Sequence, residues 1–144
     1  MSAGFMYSVN TATQAIAVGG TINVGSSVRR CGCVKDTATP FANANGTTTV
    51  LSSCGRCPAY FDINASIVVT PTDPGTVTIT AFQDGVAIPG AVATATVAAA
   101  ATTVTLPLTF GVRLNTGVTS SNITYVLTGA ASSITNVAQT VIKV

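Results

Sequence analysis

Cys31-Gly32-Cys33 and Cys54-Gly55-Arg56-Cys57 are the residues of this 144-residue chain whose type and spacing could do chemistry. Four thiolates in two close pairs suit a tetrahedral zinc ion, and the second pair has the CxxC shape of a zinc knuckle with a glycine to free the turn. The first pair is tighter than a standard knuckle. Arg29, Arg30, Lys35 and Arg56 stand close by in sequence and would offset the charge of a zinc tetrathiolate. Disulfides explain the same cysteines if the protein matures outside a cell, where thiols do not stay reduced. Free thiols are the third state. In each case the cysteines would pin the loop between Cys33 and Cys54, so residues of about 29–58 read as a cysteine-bearing loop region within a single domain spanning 1–144.

Catalysis finds little else to work with. The chain has no histidine and no glutamate, and its four acidic residues are all aspartates. General acid–base chemistry near neutral pH has no obvious group to use, and no carboxylate pair is in view. Asp36, Asp73 and Asp84 read as turn residues, and Asp62 as an outward strand residue or a partner for a nearby arginine. Cys57 lacks a histidine to activate it as a nucleophile, and no helix follows it to favour redox chemistry. Gly19-Gly20 matches neither the phosphate-loop nor the dinucleotide fingerprint. The expectation is a protein that is not an enzyme, with no catalytic residues.

Composition points to assembly. Charged residues make up 7% of the chain and hydrophobic ones 47%, whereas a solvated surface carries roughly 25–35% charge. Much of the apparent outside is therefore expected to be covered by copies of the same chain. The net charge of +2 and the absence of tryptophan argue against nucleic-acid binding. The longest charge-free run, Gly85 to Val112, is broken by Pro89-Gly90 and Pro107 and alternates with period two. It is no transmembrane helix, which needs about 20 predominantly apolar residues, so no membrane partner is expected. The first residues, Met1 to Tyr7, have neither a basic start nor a continuous apolar stretch. That predicts folding in a cytosol without an export signal.

The elements that must position the cysteines are strands. Val104, Leu106, Leu108, Phe110, Val112 and Leu114 alternate with polar or small residues along one strand, and Pro107 within it predicts an edge or a bulge. Phe61, Ile63, Ala65, Ile67 and Val69 form another apolar face, which stops at the turn Pro71-Thr72-Asp73-Pro74-Gly75. Gly75 to Phe82 alternates again, and Asp84-Gly85 predicts a tight hairpin into a strand from Val86 that continues past Pro89-Gly90. Ala91 to Ala101 reads as strand and then loop, Asn122–Thr128 and Asn136–Val144 as two more strands, and Tyr7–Val18 and Gly20–Val28 as weaker ones. Tyr60 and Tyr125 read as rim residues of a binding surface or as caps of a sandwich. Eight or more short strands without an amphipathic helix predict an all-β antiparallel β-sandwich or jelly roll.

Gly19-Gly20-Thr21-Ile22, Tyr60 to Ser66, Phe82 to Gly90 and the closing Asn136 to Val144 together resemble the C1q/TNF-like jelly-roll superfamily, in its bacterial and phage form, including spore-surface domains. The resemblance runs over the whole chain. It implies a compact homotrimer packed along a threefold axis, which would account for the missing surface charge. No Gly-X-Y stretch precedes the domain as it does in the spore-surface type, and the cysteine-bearing insertion is additional to the pattern. The function expected is that of a structural, trimeric surface component of a phage virion, assembled in the host cytoplasm beside other virion or surface-layer proteins. A spore-coat or exosporium surface protein is the alternative. Recognition of a host glycan or receptor by the trimer's loops is the third reading. Val141 is placed on an interior strand face or a subunit interface, so that an aspartate there should disrupt assembly.

Overall fold

The structure is a computed structural model that describes residues 4–32, 41–44 and 46–144, with the backbone alone for 28–32 and 41–44. Eleven strands are formed among the described residues: β1 (Gly4–Asn10), β2 (Gln14–Ile16), β3 (Ser26–Gly32), β4 (Phe41–Ala44), β5 (Thr48–Ser52), β6 (Ala59–Pro71), β7 (Gly75–Gln83), β8 (Val86–Val97), β9 (Val104–Leu114), β10 (Ser120–Thr128) and β11 (Ser132–Lys143). One sheet has the order β3-β1-β11-β6-β9, with β2 pairing β11 beyond the end of β1. The other has the order β4-β5-β10-β7-β8. All pairings are antiparallel. The all-β antiparallel sandwich expected from the alternation is therefore the fold, and no helix is present among the described residues.

Period-two burial builds the core. In β6, Phe61, Ile63, Ala65, Ile67 and Val69 all point inward while their neighbours point out. Register lines these residues up across the sheet: Met6, Val141, Ile63 and Phe110 form one inward row over β1, β11, β6 and β9. Ile79, Ala81, Ile123, Tyr125 and Leu127 face them from the second sheet. Burying one such side chain contributes about 1.5–3 kcal/mol, which is why a chain so poor in ion pairs can hold together. Phe110 and Tyr125 meet edge to face across the two layers, their ring centroids 6.2 Å apart.

One polar cluster interrupts this interior. Gln139 on β11 donates from its amide nitrogen to the Tyr125 hydroxyl at 3.0 Å, and its amide oxygen accepts from Thr49 at 3.1 Å and Ser8 at 3.4 Å. The four side chains come from β11, β10, β5 and β1, so the cluster bridges both sheets. All four residues are fully buried. Burial pushes the Tyr125 phenol far above its ordinary range, and the hydrogen bond from Gln139 works against that. Among the described residues no buried side-chain nitrogen or oxygen lacks a partner.

Several expectations are met and others are corrected. Asp84 and Gly85 both adopt positive φ, 50° and 81°, and make the tight turn expected of an Asp-Gly hairpin. Asp84 also accepts from the Ser121 hydroxyl and the Asn122 amide, so its carboxylate is engaged in holding that turn. Pro107 sits on the edge strand β9, opposite Ser66 and without a register shift, so it marks an edge and not a bulge. Tyr125 is neither rim nor cap but core. Gly20–Val28 is not one strand: the Asn23 amide oxygen accepts from Gly25 N, the Gln14 side chain brackets Asn23, and residues 19–22 instead bond to Tyr125 and Leu127 of β10. Strand β11 begins four residues before the expected Asn136, because a bulge between Ile134 and Asn136 breaks the alternation while keeping Ile134 and Val137 both inward. Val141 is fully buried between Met6 and Ile63 in the core of the subunit itself, so it does not report on a subunit interface.

Two outcomes follow. Tyr125→Phe leaves the Gln139 amide without its buried acceptor and should cost about 1–3 kcal/mol, measured as a lower urea midpoint with an unchanged slope. Gly129, at φ 97°, packs so that an added Cβ would run into the Thr76 carbonyl oxygen. Gly129→Ala should therefore lower the melting temperature, whereas the same change at Gly85, where nothing lies within 4 Å, should cost less.

Candidate functional site

The chain leaves β5 at Ser52 in the five-stranded sheet and enters β6 at Ala59 in the six-stranded sheet, so residues 53–58 cross one end of the sandwich. This crossing carries Cys54 and Cys57. It is held against residues 117–119: Ser53 N donates to the Thr119 carbonyl at 2.9 Å, the Ser53 hydroxyl donates to the Val118 carbonyl at 2.9 Å, and Gly117 N donates to the Gly55 carbonyl at 2.8 Å. Ser53 Oγ also accepts from Gly55 N at 3.2 Å. Gly55 stands at φ 75°, a conformation that a side chain would strain. The expected knuckle glycine thus has its turn.

Within this turn Cys54 and Cys57 are exposed free thiols. The Arg56 backbone N–H is the main influence that holds the Cys54 thiol below its ordinary range; desolvation comes next and opposes it, and the Cys57 and Cys54 N–H groups and the Lys143 ammonium add weaker effects in the lowering sense. Beside the thiols opens a cleft of about 450 Å³, walled by Ser53, Pro58 and Ala59 on one side and by Lys143 and Val144 on the other. Of the other predicted ligands, Cys31 belongs to β3 with its backbone opposite Phe5 of β1. Cys33, with Lys35 and Asp36, lies outside the described residues. Arg29 and Arg30 lie in β3, and Arg56 is exposed on the turn itself. No group of three histidine, cysteine, aspartate or glutamate side chains converges among the described residues.

A second feature adjoins the first and was not anticipated from the sequence. Four large apolar residues lie exposed together on the outer face of the six-stranded sheet: Phe5 (37%), Ile142 (40%), Tyr60 (49%) and Val144 (64%). Phe5 stands opposite Ile142, which stands opposite Asp62, and Val144 N donates to the Tyr60 carbonyl at 3.0 Å. The Arg113 guanidinium lies over the Tyr60 ring, 5.7 Å from its centroid, close enough for a cation–π contact. Asp62, expected to face outward, does so within this patch. The signal was present in the doublets Phe5-Met6 and Val141-Ile142: where two neighbours on a strand are both apolar, one of them must face out.

Hydrogen bonds that favour the thiolate give Cys54 a reactivity that pH should reveal. Because its acidity is raised, metal-free protein should be alkylated by iodoacetamide at Cys54 at a lower pH than a free cysteine peptide is, as read by peptide mass mapping across a pH series. Ser53→Ala, which removes two of the bonds holding the turn, should narrow that difference.

Comparison with known proteins finds no matching family model and no matching curated protein. Solved structures do match. The chain superposes on the Eiger TNF of S. frugiperda with a TM-score of 0.64 at 8% identity, over 99% of this chain and 91% of that one. Murine APRIL matches with a TM-score of 0.61 at 7% identity, over 96% and 98% of the two chains. The globular domain of zebrafish complement 1qA protein matches with a TM-score of 0.50 at 6% identity, over 97% and 94%. At these identities the likeness is one of fold: the chain has the jelly-roll sandwich seen in TNF and C1q domains.

Proposed function

We propose that this chain is a non-enzymatic structural protein that assembles as a homotrimer and forms part of the surface of a phage virion, as a capsid decoration, head fibre or tail-associated component. The observation that carries the assembly is the apolar patch of Phe5, Tyr60, Ile142 and Val144 on the outer face of one sheet. Exposed aromatic residues with an arginine beside them and few other charges are what subunit interfaces are made of. The outer face of the other sheet differs in kind. There Thr76 pairs with Thr96 and Thr78 with Thr94 through their hydroxyls, which leaves a largely polar, uncharged surface interrupted by Val86 and Val92. One sheet thus offers a face to a copy and the other a face to solvent. Three copies are what the C1q/TNF-like resemblance implies.

The scarcity of catalytic groups supports a structural role. Asp84 is engaged in its turn, Asp73 is exposed in the β6–β7 turn, and Asp62 faces out beside an apolar patch. The virion reading is supported by the resemblance to phage surface modules and by a composition with 7% charge, suited to a part that is permanently packed. The spore-surface alternative draws on the same features, so the source particle decides between them. Quantitative mass spectrometry of purified virions should find the chain in multiples of three per attachment site. Finding it only in the outer layer of spores would replace the virion reading with the alternative.

The assembly itself has a sharper test. Ile142→Asp should give a protein with the β-sheet circular dichroism of the parent that runs as a monomer in light scattering, because an unpaired charge in a buried interface costs several kcal/mol, on the order of 3–5. Val141→Asp should instead give no folded protein. An Ile142→Asp variant that remained a trimer would remove this face from the interface.

A further inference from the structure

The crossing that carries Cys54 and Cys57 curls around the first of its two sulfurs. The backbone N–H groups of Arg56 and Cys57 both reach back to Cys54 Sγ, and Gly55, at φ 75°, makes the bend between them. The main chain at Cys57 is thereby brought against the Cys54 sulfur, which is the approach that a bond between the two side chains requires. Both thiols are exposed. Lys143 completes the group. It follows the buried Val141 by two residues, so it turns to the same side of β11 and stands half-buried at the open end of the sandwich. Its partner across the sheet is Phe61, in the strand that the crossing leads into. The cleft of about 450 Å³ beside the thiols has Lys143 as the charged residue of its lining and no acidic one.

We propose that Cys54 and Cys57 are an exchangeable dithiol, oxidised by a small disulfide whose carboxylate groups are held in the cleft by Lys143. Cys54 is the attacking group, because the N–H groups around its sulfur stabilise the thiolate. The turn leads into a strand and not a helix, and these N–H groups take the place of a helix N-terminus. The Cys54 thiolate attacks one sulfur of the incoming disulfide, whose S–S bond breaks and releases a thiolate that takes a proton from water. Cys57, having given its proton to solvent, then attacks the Cys54 sulfur of the mixed disulfide and releases the second thiol. Two protein thiols are oxidised and one external disulfide is reduced to two thiols. The cleft has the volume of a small-molecule site, and the Lys143 ammonium supplies the charge that an anionic reagent pairs with. The ring so closed spans only Cys54 to Cys57, and a short loop restricts the unfolded chain little. The bond is therefore no staple of the fold, and its exposure leaves it open to reduction.

The inference does not depend on the proposed assembly, because it is read at single residues by peptide mass mapping. The full-length protein, reduced and then treated with glutathione disulfide at neutral pH, should yield a peptide in which Cys54 and Cys57 are linked, and excess glutathione should open the link again. Cys57→Ser should stop at a glutathione adduct on Cys54, whereas Cys54→Ser should lose the link and react at Cys57 more slowly. The preference for anionic glutathione disulfide over uncharged hydroxyethyl disulfide should be about 1.5–5-fold smaller in Lys143→Gln than in the parent, the size of an exposed ion pair. Added salt should narrow that difference. Mapping of the parent needs no variant to fold: Cys54 and Cys57 that stay unlinked in excess glutathione disulfide, or that pair with Cys31 or Cys33 instead, would overturn the proposal. Faster reaction at Cys57 in Cys54→Ser than at Cys54 in Cys57→Ser would overturn the choice of attacking thiol. An unchanged reagent preference in Lys143→Gln would overturn the part given to Lys143.

Discussion

The hydrogen bonds of the Gln139 side chain key the two sheets to each other. Apolar burial holds the layers together but is not directional, and inner faces built from Ile, Val, Leu and Ala could slide past one another at modest cost. Gln139 removes that freedom. Its amide reaches Tyr125 and Thr49 on the opposite sheet and Ser8 on its own, and a shift of the layers would break the two bonds that cross between the sheets. An unsatisfied buried polar group costs about 1–3 kcal/mol, so a small displacement would be penalised several times over. The alignment of the sheets, and with it the alignment of everything at their ends, follows from this one side chain and the shell of apolar residues around it.

With the layers aligned, the two outer faces acquire different characters from similar sequences. On the five-stranded sheet, threonines at alternate positions of β7 and β8 meet in hydroxyl pairs. On the six-stranded sheet, one end of the outer face collects Phe5, Tyr60, Ile142 and Val144, with Arg113 lying against Tyr60. Both faces are nearly free of charge, and both expose apolar side chains, Val86 and Val92 on the five-stranded sheet, but the six-stranded sheet gathers four large ones, two of them aromatic, at one end. That difference follows from strand order and register, and composition alone does not reveal it.

The same end of the fold holds Cys54 and Cys57. It is where β5 passes its chain to β6, where β11 terminates and where β3 stops. A jelly roll offers few ways to tie such crossings together, since the segments belong to different sheets or to distant strands of one sheet. Ser53 and Gly55 supply part of the tie through bonds to Val118, Thr119 and Gly117.

Much of this molecule was legible in its residues. Alternation in Phe61 to Val69 and Val104 to Leu114 specifies strands and their inward faces, because the side-chain period of a strand is two whatever its neighbours are. The Asp84-Gly85 turn was legible because its positive φ angles demand those residue types. Other features depended on partners far away in sequence. The bulge that lengthens β11 exists because β6 lies beside it, Tyr125 is core because Gln139 reaches it from the other sheet, and Phe5 meets Ile142 because the first strand pairs with the last. Local pattern sets which side of a strand is apolar. Whether that side meets a second sheet, a second copy or water is decided by strand order and register, and those arise from contacts between distant segments that no short stretch of sequence encodes.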